Sequence, residues 1–233
     1  MALGTVQFGL DYGVKNSRGR VPENEVAEIL EYALDHGIDT LDTASAYGES
    51  EMVLGHFLST RNRFHVISKL PAIPKKQIRI EVETSLERLG ISSLYGYLLH
   101  NYKTWQDNPH IMDELVSCRE AGLIEKIGIS LYHPNEATTL MEQGVALDLV
   151  QVPYSLIDRR FEIVFPQLAA YGTEIHVRSL FLQGILFMDP DSLHPRFDPI
   201  RESIRSLQKV ARDQGFPIAS LCLAPAATNT YIS

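Results

Sequence analysis

Short apolar, often β-branched runs alternate along the chain with longer segments whose apolar residues recur at helical spacing. This alternation is typical of repeated strand–helix units around a parallel sheet. The pattern predicts seven strands: Leu3–Phe8, Ile38–Leu41, His65–Ser68, Leu94–Leu99, Ile124–Ile129, Leu147–Val152 and Glu174–Val177. It predicts helices between and after them, at about 76–89, 109–121, 134–143, 161–171, 199–214 and 217–227.

The first two strand–helix units carry the clearest local signals. After Pro22, five apolar residues recur on one helical face, and Gly37 is expected to stop that helix. These residues are Val26, Ile29, Leu30, Ala33 and Leu34. Ser50 is placed to cap a helix that carries Val53, Leu54, Phe57 and Leu58.

The order of the elements predicts an α/β fold, a (β/α)₈ TIM barrel. No low-complexity linker and no internal repeat divides the 233 residues, which indicates one domain over 1–233. The complete fold typically takes about 250 residues, so we expect a barrel truncated before its eighth strand, with the C-terminal βα unit missing. The alternative is an open doubly wound sheet, but a dinucleotide-binding sheet of that type normally shows G-x-G-x-x-G after its first strand, and the sequence lacks it.

Composition and charge narrow the function classes. The 21 Lys and Arg against 29 Asp and Glu give a formal net charge of -8, and basic residues form no stripe, which argues against a nucleic-acid partner. No apolar run approaches the roughly 18 residues of a membrane span. Cys118 and Cys222 make no disulfide framework, and no metal-ligand spacing occurs. We therefore expect a cytoplasmic protein with no membrane partner and no metal.

Four polar residues follow predicted strands at the end where barrel enzymes place their active sites. Asp42 follows the second strand, Tyr47 lies in the loop after it, Lys69 ends the third and His100 ends the fourth. Each also has a structural interpretation, as a turn cap, a packing residue, a surface charge or a satisfied histidine. A phenol, an ammonium, a carboxylate and an imidazole at one mouth nevertheless form a set suited to polarising a carbonyl.

The chemistry of that set favours a proton donor over a nucleophile. An adjacent ammonium is expected to lower the pKa of Tyr47, so that its phenol donates a proton. Asp42 would hold Lys69 in place and keep it charged, while His100 would donate a hydrogen bond to a carbonyl oxygen. No G-x-S-x-G elbow and no metal cluster supplies a nucleophile, so a hydride from a cofactor is the expected reactant.

Six segments together resemble successive motifs of the aldo-keto reductases. The most specific is Asp42-Thr43-Ala44-x-x-Tyr47-Gly48-x-Ser50-Glu51. The others are Leu3-Gly4-Thr5, Ile67-Ser68-Lys69, Leu98-Leu99-His100, Ile127-Gly128-Ile129-Ser130 and Gln151-Val152-Pro153-Tyr154. The resemblance spans nearly the whole chain, and it implies reduction of an aldehyde or ketone by NADP(H) or NAD(H).

The resemblance also implies a role for each matching residue. Tyr47 would be the proton donor, Lys69 the lysine that lowers its pKa, Asp42 the carboxylate partner of that lysine, and His100 the residue that orients the carbonyl. Asp42 also belongs to the implied cofactor site. The other implied cofactor residues are Thr5 beside the nicotinamide, Ser130 and Gln151 at its carboxamide, and Arg178 and Ser179 after the seventh strand.

The sequence departs from the family pattern at three places. Leu131 replaces an asparagine that commonly contacts the carboxamide, and Arg178 replaces an aromatic residue that stacks on nicotinamide. Arg178 is open to three interpretations: stacking on the cofactor, binding an anion of the substrate or cofactor, or pairing with a nearby acid. The family's last strand and adenosine-binding segment would begin beyond Ser233, and the N-terminal hairpin that often covers the barrel bottom is not evident.

Two rival functions remain at this stage. The missing segment and the two substitutions suggest a cofactor-poor or inactive barrel that acts as an interaction or regulatory subunit, associating with another chain through exposed barrel edges. A lyase or isomerase with Lys69 as a Schiff-base amine is less favoured, because Asp42 would keep that amine protonated. The side chains of Tyr102, Trp105, His133 and Tyr154 are candidates for the wall of the substrate pocket.

Overall fold

The computed structural model describes residues 1–60, 63–71 and 78–233. Seven parallel strands form one sheet in which each strand pairs with the next along the chain. The strands are β1 (Ala2–Gly4), β2 (Thr40–Asp42), β3 (His65–Leu70), β4 (Leu94–Leu99), β5 (Ile124–Ser130), β6 (Leu149–Pro153) and β7 (Glu174–Arg178). This order excludes the doubly wound alternative, in which the strand order reverses at a switch point.

Ten α-helices occur in the described residues, most of them following a strand. They are α1 (Val6–Gly9), α2 (Glu23–Asp35), α3 (Ser50–Leu58), α4 (Ile78–Leu89), α5 (Tyr102–Asp107), α6 (Ile111–Glu120), α7 (Pro134–Glu142), α8 (Phe165–Ala170), α9 (Asp198–Gln214) and α10 (Ile218–Thr228). The predicted helix at 161–171 is a 3-10 turn at Arg160–Ile163 followed by α8. The first two residues of the predicted helix at 76–89 lie outside the described part of the chain.

The predicted first strand, Leu3–Phe8, is wrong beyond its first residues. Strand β1 ends at Gly4, and the chain turns into α1, where Phe8 is buried in the main core. The amide of Phe8 bonds to the carbonyl of Thr5 at 2.9 Å. An apolar run of this length fits a strand and a single helical turn equally well, so periodicity could not separate them.

Side chains along a strand alternate between its two faces, so residues two apart lie on the same face. This alternation arranges the interior side chains of the sheet in layers. Lys69 lies near the end of β3, Gln151 lies within β6 and His100 follows β4. Two residues before them in the sequence come Ile67, Leu149 and Leu98, respectively. Those three apolar residues form a buried cluster of their own. The polar end of the sheet is therefore underlain by an apolar layer, as in the packed interior of a barrel.

The opposite end of the sheet carries a second polar group. The Tyr95 hydroxyl bonds to the Glu174 carboxylate at 3.0 Å, and Lys126 reaches the same hydroxyl at 2.7 Å. Lys126 also pairs directly with Glu174. In parallel-strand barrels this end serves stability and not catalysis.

Two further features complete the description of the fold. Residues near the end of the chain run beside β7, where the amide of Ser233 donates to the carbonyl of Ile175 at 3.0 Å. None of the helices in the described ranges has the length and apolar character that a membrane crossing requires.

Strands β5 and β6 approach closely at Gly128, because a Cβ atom there would overlap the carbonyl oxygen of Leu149. We expect Gly128→Ala to lower the free energy of unfolding by about 1–3 kcal/mol, as overpacking in a filled core does. Gly4→Ala is the matched control, since a Cβ there meets nothing within 4 Å. Urea unfolding of both variants tests this, and equal stability of the two would contradict the packing argument.

Candidate active site

A buried ion pair joins the ends of β2 and β3. Lys69 is 1% exposed, and its Nζ donates to Asp42 Oδ1 at 2.6 Å and to the carbonyl of Thr43 at 2.9 Å. Asp42 ends β2, and Thr43 continues the pairing with β3 through its amide. Neighbouring parallel strands thus place the two charges at the same end of the sheet.

Burial and pairing act in opposite directions on Lys69. Burial lowers the pKa of the ammonium, and the Asp42 carboxylate and its hydrogen bond raise it, with a net lowering. Asp42 therefore offsets only part of the cost of burying the charge. Nζ is nevertheless held in one place, because it donates hydrogen bonds to both the Asp42 carboxylate and the Thr43 carbonyl.

Tyr47 and His100 lie beside this pair. The Nζ of Lys69 is 5.1 Å from the centroid of the Tyr47 ring. The rings of Tyr47 and His100 meet edge to face, with centroids 5.9 Å apart and planes at 80°. The structure thus brings together all four residues that the sequence selected.

The sequence predicts a lowered pKa for Tyr47, and that prediction is wrong for this structure. The pKa of Tyr47 is raised, because burial and the Asp42 carboxylate disfavour phenolate, and the cation that opposes the rise is Arg178. The phenol is consequently held in its protonated form. The pKa of His100 is lowered by burial and by Lys69, so its imidazole is neutral at pH 7.

A network of small hydroxyls holds the backbone around this site. The Thr5 hydroxyl donates to the Asp42 carbonyl at 3.0 Å, and the Ser50 hydroxyl bonds to the carbonyl of Thr5 at 2.9 Å and to its hydroxyl at 3.0 Å. Ser50 is therefore not the predicted helix cap, because its side chain turns inward to the first loop. The Thr5 hydroxyl is likewise occupied by these protein contacts.

Two residues outside the predicted set also shape the site. Glu51 is buried and accepts a hydrogen bond from the Ser68 hydroxyl at 2.6 Å, which fixes α3 against β3. Gly9 lies so close to the Tyr47 loop that a Cβ there would overlap the Tyr47 carbonyl oxygen. Glu51 stands in the motif that contains Tyr47, which is the signal that could have identified it.

Gln151 offers an unused acceptor in the same place. Its Nε2 donates to Asp42 Oδ1 at 2.7 Å, while its Oε1 is buried and has no hydrogen-bond partner. Buried acceptors are rarely left unpaired, so a ligand N–H is the natural partner for this atom. Ser130 is also buried, and its backbone pairs with Gln151 across β5 and β6.

Arg178 and Ser179 lie at the end of β7. The Arg178 guanidinium stacks on Tyr132, 4.3 Å from the ring centroid, and Nη2 donates to the carbonyl of Leu131 at 3.3 Å. Ser179 has a φ of 67°, an uncommon left-handed conformation for a residue with a side chain. The sharp turn of the chain at Ser179 leads it away from the sheet.

Of the side chains predicted to form the wall of the substrate pocket, some lie in the core and others border a cavity. Trp105 is only 4% exposed and contacts Tyr102 with ring centroids 5.3 Å apart, so it belongs to the core. Tyr154 is buried and its hydroxyl bonds to Glu162 at 2.6 Å. Tyr154 and His133 border a cavity of about 230 Å³ beside Arg178.

Comparisons with known proteins agree on one family. A family described as "Aldo/keto reductase family" matches residues 1–229. The chloroplastic pyridoxal reductase of Arabidopsis thaliana is 30% identical over 184 residues, which cover 67% of this chain and 49% of that protein. The NADH-specific methylglyoxal reductase of Escherichia coli is 26% identical, over 64% of this chain and 54% of that protein.

A solved structure supports the fold. The structure of a glycerol dehydrogenase from Gluconobacter oxydans superposes with a TM-score of 0.79 at 23% identity, covering 99% of this chain and 80% of that chain. The predicted (β/α)₈ class is confirmed. The chain spans 49% of the length of the plant reductase and 39% of the D-arabinose 1-dehydrogenase of Saccharomyces cerevisiae, which is 30% identical over 130 residues.

The Lys69–Asp42 pair makes stability depend on pH. We expect Asp42→Asn to lower the free energy of unfolding at pH 7 by about 3–5 kcal/mol, because it leaves a buried ammonium without its carboxylate. The folded-state pKa of Lys69 lies below its unfolded value, so the unfolded chain binds more protons between the two. Without Asp42 the folded-state pKa of Lys69 falls further, so the variant gains more stability than the wild type as pH rises. Its deficit should therefore shrink towards alkaline pH.

Urea unfolding at a series of pH values measures this deficit. Asp107→Asn serves as the control, since Asp107 pairs with Lys103 on the exposed face of α5. Its loss should be within about 1 kcal/mol at every pH. A deficit of Asp42→Asn that stays constant up to pH 10 would rule out the charge of Lys69 as its cause.

Proposed function

Because the chain belongs to the aldo/keto reductase family, we propose that it reduces an aldehyde or ketone to an alcohol with NAD(P)H, as a single barrel domain. The observation that carries the proposal is the convergence of Tyr47, His100 and the Lys69–Asp42 pair at one end of the sheet. The names of several relatives, among them the methylglyoxal reductase, agree with a small carbonyl substrate.

The residues at the site fit a nicotinamide. When bound, NAD(P)H supplies the hydride that a carbonyl carbon must receive. The unpaired Oε1 of Gln151 can accept a hydrogen bond from a carboxamide NH₂, and Ser130 lies beside it on β5. Asp42 already accepts from Gln151 Nε2, which fixes the direction in which Oε1 points.

Each residue of the set then has a defined task. The neutral imidazole of His100 carries one N–H that can donate to the carbonyl oxygen and set its orientation. The Tyr47 phenol, kept protonated by burial, donates its proton to that oxygen as the carbon accepts hydride. Lys69, 5.1 Å from the phenol ring, stabilises the negative charge that develops on the tyrosine oxygen.

The geometry of Lys69 argues against an amine nucleophile. Its ammonium donates to two oxygens and is 1% exposed, so a carbonyl carbon has no open approach to Nζ. The inaccessibility of Nζ agrees with a role for Lys69 in stabilising charge on Tyr47 and disfavours Schiff-base chemistry.

Replacement of the proton donor tests the proposal. We expect Tyr47→Phe to lower kcat by about 10²- to 10⁴-fold, the usual contribution of general acid catalysis, with the affinity for NADPH unchanged. The control is Tyr12→Phe, because Tyr12 is exposed at the same end of the barrel. The measurement is oxidation of NADPH and NADH with small aldehydes, together with a fluorescence titration of each nucleotide.

Two results would contradict the proposal. Unchanged turnover in Tyr47→Phe would remove the assigned proton donor. A folded chain that binds neither nucleotide would favour instead the cofactor-free interaction subunit.

A further inference from the structure

Arg178 is a positioned cation at the mouth of the barrel. It is the last residue of β7 and pairs in register with Pro153, two residues beyond Gln151 on β6. The stack on Tyr132 and the hydrogen bond to the carbonyl of Leu131 hold its plane on one side. The other N–H donors of the guanidinium make no hydrogen bond to the described residues.

The charge of Arg178 is unmatched. No carboxylate within residues 1–60, 63–71 and 78–233 forms an ion pair with it. Arg160, which borders the same cavity, differs, because its Nε and Nη2 bond to both oxygens of Asp158 at 2.7 and 2.6 Å. Of these two guanidinium groups, only that of Arg178 is available to an incoming anion.

The position of this charge relates it to the reacting carbonyl. Arg178 lowers the pKa values of Tyr47, Lys69 and His100, so its field reaches the three side chains around the proposed carbonyl site. It also borders the 230 Å³ cavity with Tyr132 and Tyr154. Tyr47 and His100 do not line this cavity, so a substrate with its carbonyl at those two residues would have to extend towards the cavity to reach Arg178.

We propose that Arg178 binds a carboxylate of the carbonyl substrate, which makes the preferred substrates aldehyde acids or oxo acids. This inference rests on the function proposed above. A planar guanidinium presents parallel N–H donors that match the two oxygens of a carboxylate, and a lysine at this place would not. The stack on Tyr132 holds the plane of the guanidinium.

The test compares charged substrates with neutral isosteres. The ortho, meta and para formylbenzoates are assayed against the corresponding formylbenzamides with the wild-type chain, Arg178→Gln and Arg160→Gln. For the best-fitting isomer we expect the wild type to favour the carboxylate in kcat/KM by about ten- to hundredfold, the range of a hydrogen bond between charged groups. Arg178→Gln should reduce this preference to near unity, mainly through KM, and Arg160→Gln should preserve it.

A binding measurement separates this inference from the proposed function. Calorimetric titration of the (hydroxymethyl)benzoates and the matching benzamides should show the same preference for the carboxylate, lost in Arg178→Gln, even if no aldehyde is reduced. The inference is overturned if the wild type shows no preference in either assay, or if Arg178→Gln keeps it. It is equally overturned if Arg178→Gln weakens only the binding of NADPH, since the anion would then be a cofactor phosphate.

Discussion

The need to satisfy one buried ammonium organises the end of this barrel at which the strands have their carboxyl ends. Lys69 is removed from water, and such a charge is tolerated only where oxygens surround it. Asp42 and the carbonyl of Thr43 supply them from β2 and the turn after it. Asp42 is in turn bound by Gln151 from β6, and its carbonyl is bound by Thr5 next to β1. Through its carboxylate and its backbone carbonyl, Asp42 therefore links β2 to β3, to β6 and to the residue that follows β1.

Contacts around the buried ammonium also hold the side chains of the site in fixed positions, although much of the site lies in loops. The Tyr47 loop lies against Gly9, and Ser50 anchors the start of α3 to Thr5, so the phenol has little freedom to move relative to Lys69. Below these groups the apolar layer of Ile67 and its neighbours excludes water from beneath the ion pair. Low polarity strengthens the electrostatic interactions that the proposed chemistry needs.

The sequence predicted the parts of this arrangement that depend on order along the chain. Alternating strands and helices identified the fold, and the rule that parallel strands share a carboxyl end brought Asp42, Lys69 and His100 together. The prediction failed where a decision depends on the surroundings of a residue in space. The burial that raises the pKa of Tyr47 and the inward turn of Ser50 are set by packing from distant segments, which local spacing does not encode. Arg178 is an intermediate case. Its departure from the family pattern can be read from the sequence, but its stack on Tyr132, which joins the end of β7 to the loop after β5, cannot.

The local charge at the mouth of the barrel is opposite in sign to the net charge of the chain. Lys69 and Arg178 are two cations near the proposed carbonyl site, whereas the formal net charge of the chain is -8. An approaching anion is thus repelled at long range and attracted only once it is near the opening. Added salt screens the distant repulsion more than the contact inside, since the Debye length at 0.1 M is about 10 Å. The rate of encounter with anionic ligands should then increase with ionic strength, the reverse of ordinary electrostatic steering.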